Sequence, residues 1–224
     1  MAKKTKKVDL ENAALIIVDV QNDFCPGGAL PVPDGDKVVK LNNRMVNRAL
    51  RNNWPIFASR DWHPLKTKHF NTNGGIWPPH CVRYTKGAEF HKDLRLPYTV
   101  MVISKGMSRE EDEKSYSAFG GSVVASNFDP TRGWIDMSDA PYLEMQLTYL
   151  HIDTLFIGGL ATDYCVKATV LDALKEKFIK KVYLLEDACR AANLKPNDGA
   201  NAIAEMKAAG ALITSVKEDR KSVV

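Results

Sequence analysis

AALIIVDV, residues 13–20, is an unbroken apolar run that closes on an aspartate inside a valine frame. A strand with one wet face alternates apolar with polar residues, whereas a strand buried on both faces does not. The run therefore predicts a central strand of a sheet covered on both sides. From Asp36 onward, Val38, Leu41, Met45, Ala49 and Leu50 recur at helical spacing as far as Asn52-Asn53, and WPIFASRD (54–61) supplies a second strand, completing a βαβ unit. TVMVISKG (99–106) reads as a third strand, PYLEMQLTYL (141–150) as a helix and TLFIGGL (154–160) as a fourth strand. DYCVKATVLDALKEKF (163–178) is a helix apolar nearly all round, and so a buried one. KVYLLEDA (181–188), a helix around NDGANAIAEMKAAG and the strand ALITSV (211–216) complete the pattern. Strands alternating with helical crossovers predict an α/β fold with a mostly parallel central sheet flanked by helices. Residues 62–98, rich in Pro, His and Gly, and 107–139, which begins with the charged SREEDEK, fall outside the alternation. Loops of that length in a compact domain are functional or disordered.

A chain of 224 residues with 45% apolar content suits one core better than two. No repeat, low-complexity tract or Pro/Ser linker divides it. The reading is a single domain over 13–216, with a basic N-terminal tail over 1–12 and a polar C-terminal tail over 217–224. The formal charge of +4 is matched by Lys3, Lys4, Lys6 and Lys7 alone; without them 27 basic residues face 27 acidic ones. No basic stripe for nucleic acid is visible. MAKKTKK is followed by Asp9, Glu11 and Asn12 rather than by a signal core, and no apolar span of about 18 residues exists for a membrane helix. Cys25, Cys81, Cys165 and Cys189 lie far apart with no CxxC pair. Reduced thiols and a cytoplasmic setting are expected.

In parallel α/β sheets ligands bind beyond the carboxyl ends of the strands. Along that rim the order of elements places Asp19 after the first strand, Asp61 and His63 after the second, Lys105 at the end of the third and Cys165 at the start of the helix after the fourth. A buried aspartate requires a partner, which Lys105 supplies; a structural ion pair would look the same. Cys165 tips the balance toward chemistry, because a helix N-terminus and a neighbouring ammonium both favour thiolate. Asp61 and His63, two apart in an extended segment, point the same way while Trp62 faces away. With His80 from WPPHC they make a set suited to a divalent transition metal such as zinc, iron or manganese. His69 is a further ligand or a supporting partner, and His91 and His151 have no partner set.

Beyond these residues, IIVDVQNDFCPGGALPV (16–32), ASRDWHP (58–64), WPPHCV (77–82), GAEFH (87–91), SKG (104–106), SYSAF (115–119), GGLATDYCVKATVLDAL (158–174) and DACRA (187–191) stand in one order. In them the chain resembles the nicotinamidases, within the isochorismatase-like cysteine hydrolase superfamily. The resemblance implies a three-layer flavodoxin-like fold and hydrolysis of nicotinamide in salvage of pyridine nucleotides. It implies Cys165 as nucleophile, Asp19 as its proton acceptor and Lys105 as stabiliser of the pair. The backbone N–H groups of Ala161 and Cys165 would receive the oxyanion, with a cis peptide at Leu160-Ala161. It also implies Asp61, His63 and His80 around one divalent metal, zinc first, holding the pyridine nitrogen, and Phe24, Trp77 and Tyr164 around the ring. The small-molecule partner it implies is nicotinamide; no nucleic acid or membrane partner is expected, and a homo-oligomer is compatible. Members of the group often read HCVQGTPGAEF where this chain has Arg83, Tyr84 and Lys86, and an acidic residue where it has Lys114. Two other readings are a relative acting on another small amide, carbamoyl or ureido substrate, and a silent flavodoxin-like binding protein.

Overall fold

The computed structural model describes residues 10–110, 116–125 and 142–217. Residues 1–9 of the basic tail, Lys114, the stretch 126–141 and the last seven residues lie outside the described residues. Strand β1 (Ala13–Val18) is inaccessible to solvent at every position. Its odd residues Ala13, Leu15 and Ile17 pack against Val38, Leu41, Met45 and Ala49 of helix α1 (Val38–Arg51). Its even residues Ala14, Ile16 and Val18 meet a second cluster on the opposite face. That cluster is built from α2 (Leu143–Tyr149), α3 (Lys167–Lys175) and α4 (Asp198–Ala208). A continuous apolar run is thus what a middle layer requires, since each successive side chain enters a different core.

Around β1 the sheet is completed by β2 (Ile56–Asp61), β3 (Met101–Lys105), β4 (Ser122–Ala125), β5 (Thr154–Leu160), β6 (Lys181–Arg190) and β7 (Leu212–Thr214). The strand order is β4-β3-β2-β1-β5-β6-β7, and every pairing is parallel except β3 with β4. The chain winds outward from β1 to one edge, then returns to β5 on the other side. The β1/β5 boundary is therefore a topological switch point, where the two crossovers diverge and leave a crevice.

Two expectations are corrected. The stretch 107–139 contains an edge strand, β4, which needs pairing on one side only and so carries little apolar signal. The helix after β5 is not buried all round: it opens as a π-helical turn over Thr162–Val166. α3 then ends at Lys175, with Thr169, Val170 and Ala173 buried and the other face half-covered. Among the described residues no helix is long and apolar enough to cross a membrane.

Candidate active site

The ladder between β1 and β2 ends with the Asp19 N–H donating to the Ser59 carbonyl, 3.1 Å. Asp19 itself takes a left-handed φ of 49°, which turns the chain off the sheet and leaves the carboxylate at the crevice. Ser59 Oγ donates to Asp19 Oδ1 at 2.7 Å, and Lys105 Nζ lies 2.8 Å from Oδ2. Asp61 and Lys105 are cross-strand partners at the ends of β2 and β3, so the same ammonium also donates to Asp61 Oδ1. From the other side of the switch point, the register of β5 against β6 shifts between Ile157 and Gly159, with the extra residues on β6. The Leu160–Ala161 peptide is cis, as the resemblance implies. The Ala161 carbonyl then accepts from the Tyr164 and Val166 N–H groups at 3.1 Å each, tightening the turn that carries Cys165. Lys105 Nζ ends 3.4 Å from Cys165 Sγ.

The expected thiolate is not the resting state of this geometry. Burial pushes the Cys165 thiol well above its ordinary range; Lys105 opposes that, but Asp19 and Asp61 reinforce it. One ammonium faces two carboxylates, so an additional negative charge on sulfur is not favoured and the thiol keeps its proton, hydrogen-bonded to Asp19. Burial alone would lower the Lys105 ammonium, yet Asp19 and Asp61 outweigh it and hold the charge. Asp19 is raised by burial and by Asp61 against the pull of Lys105. The group is a base next to a thiol, with a fixed cation touching both.

Beside it stands a histidine cluster. His63 N–H donates to the Cys81 carbonyl and Arg83 N–H returns to His63 O, so the WPPHC segment runs parallel to DWH and carries His80 alongside. His63 Nδ1 is paired with the Gly106 carbonyl and His80 Nδ1 with that of Pro78. With each Nδ1–H so engaged, the Nε2 atoms become the free electron-pair donors. His63 Nε2 is buried without a hydrogen-bond partner. It sits 3.6 Å from Asp61 Oδ2, and His80 Nε2 sits 3.9 Å from the same oxygen. His63, His69 and His80 offer nitrogens within 4.8 Å of one another. Burial holds His69 down to about 4 and also lowers His80, so these imidazoles are neutral and able to ligate. An orphaned buried nitrogen, converging neutral imidazoles and a carboxylate suit a divalent transition ion. His69 belongs with the three residues read from the sequence.

Between the cluster and Cys165 lies a pocket of about 550 Å³ including its open mouth, a scale that admits a single-ring ligand. Phe24, Trp77 and Tyr164 line it together with Asp61, His69, His80, Ala161 and Cys165. Trp77 packs edge-on against Tyr164 at 5.1 Å and donates its indole N–H to Tyr116 at 2.9 Å. All ten residues singled out in the sequence therefore meet at one crevice. Trp62 does face away, beneath the Arg60 guanidinium and against the ring of Tyr84, which absorbs one of the unusual loop residues outside the pocket. Three contributors were not read from the sequence. Tyr116 braces Trp77, and Asp163 accepts from Ala192 and Asn193 N–H at 2.9 and 2.8 Å, fixing a pocket wall. Gln21 is the third: a polar residue two positions beyond Asp19 and fully buried. Its place next to an apolar strand was the available signal.

The isochorismatase domain model matches residues 13–218. A nicotinamidase of Escherichia coli K12 is 39% identical over 220 residues, covering 92% of this chain and 95% of its own. Among solved structures, the pyrazinamidase of Pyrococcus horikoshii in complex with zinc is 38% identical with a TM-score of 0.75, covering 91% and 99% of the two chains. The L. infantum protein PnC1 in complex with nicotinate is 31% identical with a TM-score of 0.74, covering 94% and 96%.

Proposed function

The chain belongs to the isochorismatase-domain family, and from that premise we propose that it is a nicotinamidase, hydrolysing nicotinamide to nicotinate and ammonia in salvage of pyridine nucleotides. The observation that carries the reading is a buried acid–lysine–thiol group facing a buried histidine cluster across one ring-sized pocket.

In this mechanism the ring enters among Phe24, Trp77 and Tyr164, with its carboxamide toward Cys165. Asp61, His63, His80 and His69 would hold a zinc, iron or manganese ion, which would supply a Lewis-acidic anchor for the pyridine nitrogen. Asp19 takes the thiol proton as Sγ attacks the amide carbon, and the raised affinity of Asp19 for a proton suits it to that transfer. The N–H groups of Ala161 and Cys165 receive the oxygen that becomes negative. Asp19 then hands the proton to the departing nitrogen, and ammonia leaves a thioester on Cys165. A water gives its proton to Asp19 and its oxygen to the acyl carbon, releasing nicotinate and restoring the thiol. Lys105 stays charged throughout, balancing whichever of Asp19 or sulfur is negative. None of the four cysteines is disulfide-bonded, which suits a reducing cytoplasm.

The test is ammonia release from nicotinamide by the purified, zinc-loaded protein. Turnover should fall on the order of 10⁴-fold in Cys165→Ala. Failure of the folded, loaded protein to release ammonia from nicotinamide, with release from a carbamoyl or ureido compound instead, would reassign the substrate. Residual turnover above a few per cent in Cys165→Ala would reassign the nucleophile.

A further inference from the structure

Asp61 lies where β2 loses its neighbour. The β1 backbone turns away at Asp19, so the N–H and carbonyl of Asp61 that face β1 have no strand to pair with. The side chain of Gln21 takes that role. Asp61 N–H donates to Gln21 Oε1 at 2.8 Å, and Gln21 Nε2 donates to Asp61 O at 2.9 Å and to Ala88 O at 2.9 Å. Two carbonyls and one N–H admit only one orientation of the amide. Gln21 N–H meanwhile donates to the Asp19 carbonyl at 2.8 Å, tying the turn closed. A side-chain amide thus replaces the missing peptide of a parallel ladder, fully buried.

On these contacts we propose that Gln21 is a positioning residue for the cation site: by clasping the Asp61 backbone it fixes the carboxylate between Lys105 and the Nε2 atoms of His63 and His80. The inference rests on the reading of the histidine cluster as a cation site, and it deepens that reading by assigning part of its affinity to a residue that touches neither cation nor substrate. Gln21 acts through Asp61, whose two oxygens face different partners, one the ammonium and one the imidazoles. Rotation of Asp61 by a small angle would exchange good geometry at both for good geometry at neither.

The experiment measures zinc affinity of Gln21→Met and Gln21→Glu by chelator competition, alongside thermal stability and nicotinamide kinetics. Gln21→Met keeps the length and loses all three bonds; Gln21→Glu keeps the acceptor for Asp61 N–H and loses the amide donors. Zinc affinity should fall about 10- to 100-fold in the methionine variant, the usual scale for a partner that orients a ligand. It should recover in part in the glutamate variant, with KM rising more than kcat falls. A methionine variant that loses thermal stability but binds zinc within about threefold of the parent overturns the inference. If that variant does not fold, an unchanged zinc affinity in Gln21→Glu does the same. A parent chain that binds no zinc sinks the cation reading and this inference with it, whether or not nicotinamide is hydrolysed; a parent that binds zinc but spares nicotinamide sinks only the substrate.

Discussion

Lys105 is the residue on which the site's electrostatics turn, because its ammonium contacts Asp19, Asp61 and Cys165 with no access to water. Removing one partner of a buried ion pair costs about 3–5 kcal/mol, since the charge left behind keeps its desolvation penalty. Lys105→Met should show that loss in metal-free protein at pH 7.5, read from urea midpoints. Its dependence on pH follows from Asp19, whose affinity for protons is already raised by burial and rises further without the lysine. A carboxylate with a raised folded pKa binds protons more tightly folded than unfolded, so acid restores stability and alkali removes it. The deficit should therefore shrink between pH 7.5 and 5; a constant deficit would mean that Asp19 is not the stranded charge. The thiols give a second expectation at this scale. Burial pushes Cys25 up to about 11 and Cys189 to about 12, and Cys81 is raised by burial too. A small neutral alkylating reagent should mark only the pocket-lining Cys165 in the native protein, slowly, and less in the presence of nicotinate; native labelling of Cys81 would contradict the packing. Asp19 and Lys105 were legible because polar side chains in apolar strands require a reason, and Cys165 because it opens the helix that follows such a strand. The protonation of Cys165 was not, because it depends on how many carboxylates share one cation.

Strand β5 shows how an element aims a site. Its register against β6 shifts between Ile157 and Gly159, and its end leads directly into Ala161 and the π-helical turn that carries Cys165. Gly159 sits at the bend with φ +130°, and a Cβ there would come within 2.0 Å of the Val18 carbonyl oxygen. Both the backbone angle and the clash with an inner strand are unavoidable for any other residue. Gly159→Ala should cost at least ~2 kcal/mol from strain and overpacking together, read from the denaturant midpoint, with activity falling as the crevice distorts. A fully stable variant would show that the strand can slide away from β1. The strands and α1 were readable because burial on two faces, or on one helical stripe, writes a period into the sequence. The edge strand β4 was not, since four residues starting from Ser122 bear no such period. The π-helical turn was hidden too, because the apolar pattern of 163–178 fits either helix type and only the Ala161 carbonyl decides.

At the scale of the molecule, the proposed cation site ties together segments distant in sequence. Asp61 closes β2, His63 and His69 stand on the loop after it, and His80 lies on the segment that pairs with that loop. An ion that binds these groups folded but not unfolded adds RT ln(1 + [ion]/Kd) to stability, about 2.7 kcal/mol when free zinc is 100-fold above Kd. For a chain of this size each kcal/mol moves the melting temperature about 2–4 °C, so chelation should lower it by roughly 5–10 °C. The site's membership can be read from the same experiment, because each donor contributes to Kd and hence to the shift. His69, stacked on His63 at 4.7 Å and kept neutral by burial, is positioned as a donor equal to the others. His69→Ala should therefore weaken zinc binding and shrink the chelator-sensitive part of the melting temperature while leaving the chelated protein's own melting temperature close to that of the chelated parent. If the zinc affinity and the chelator shift are both unchanged, Asp61, His63 and His80 suffice, and His69 serves the aromatic wall. If the chelated variant falls instead, His69 is holding the loop rather than the ion.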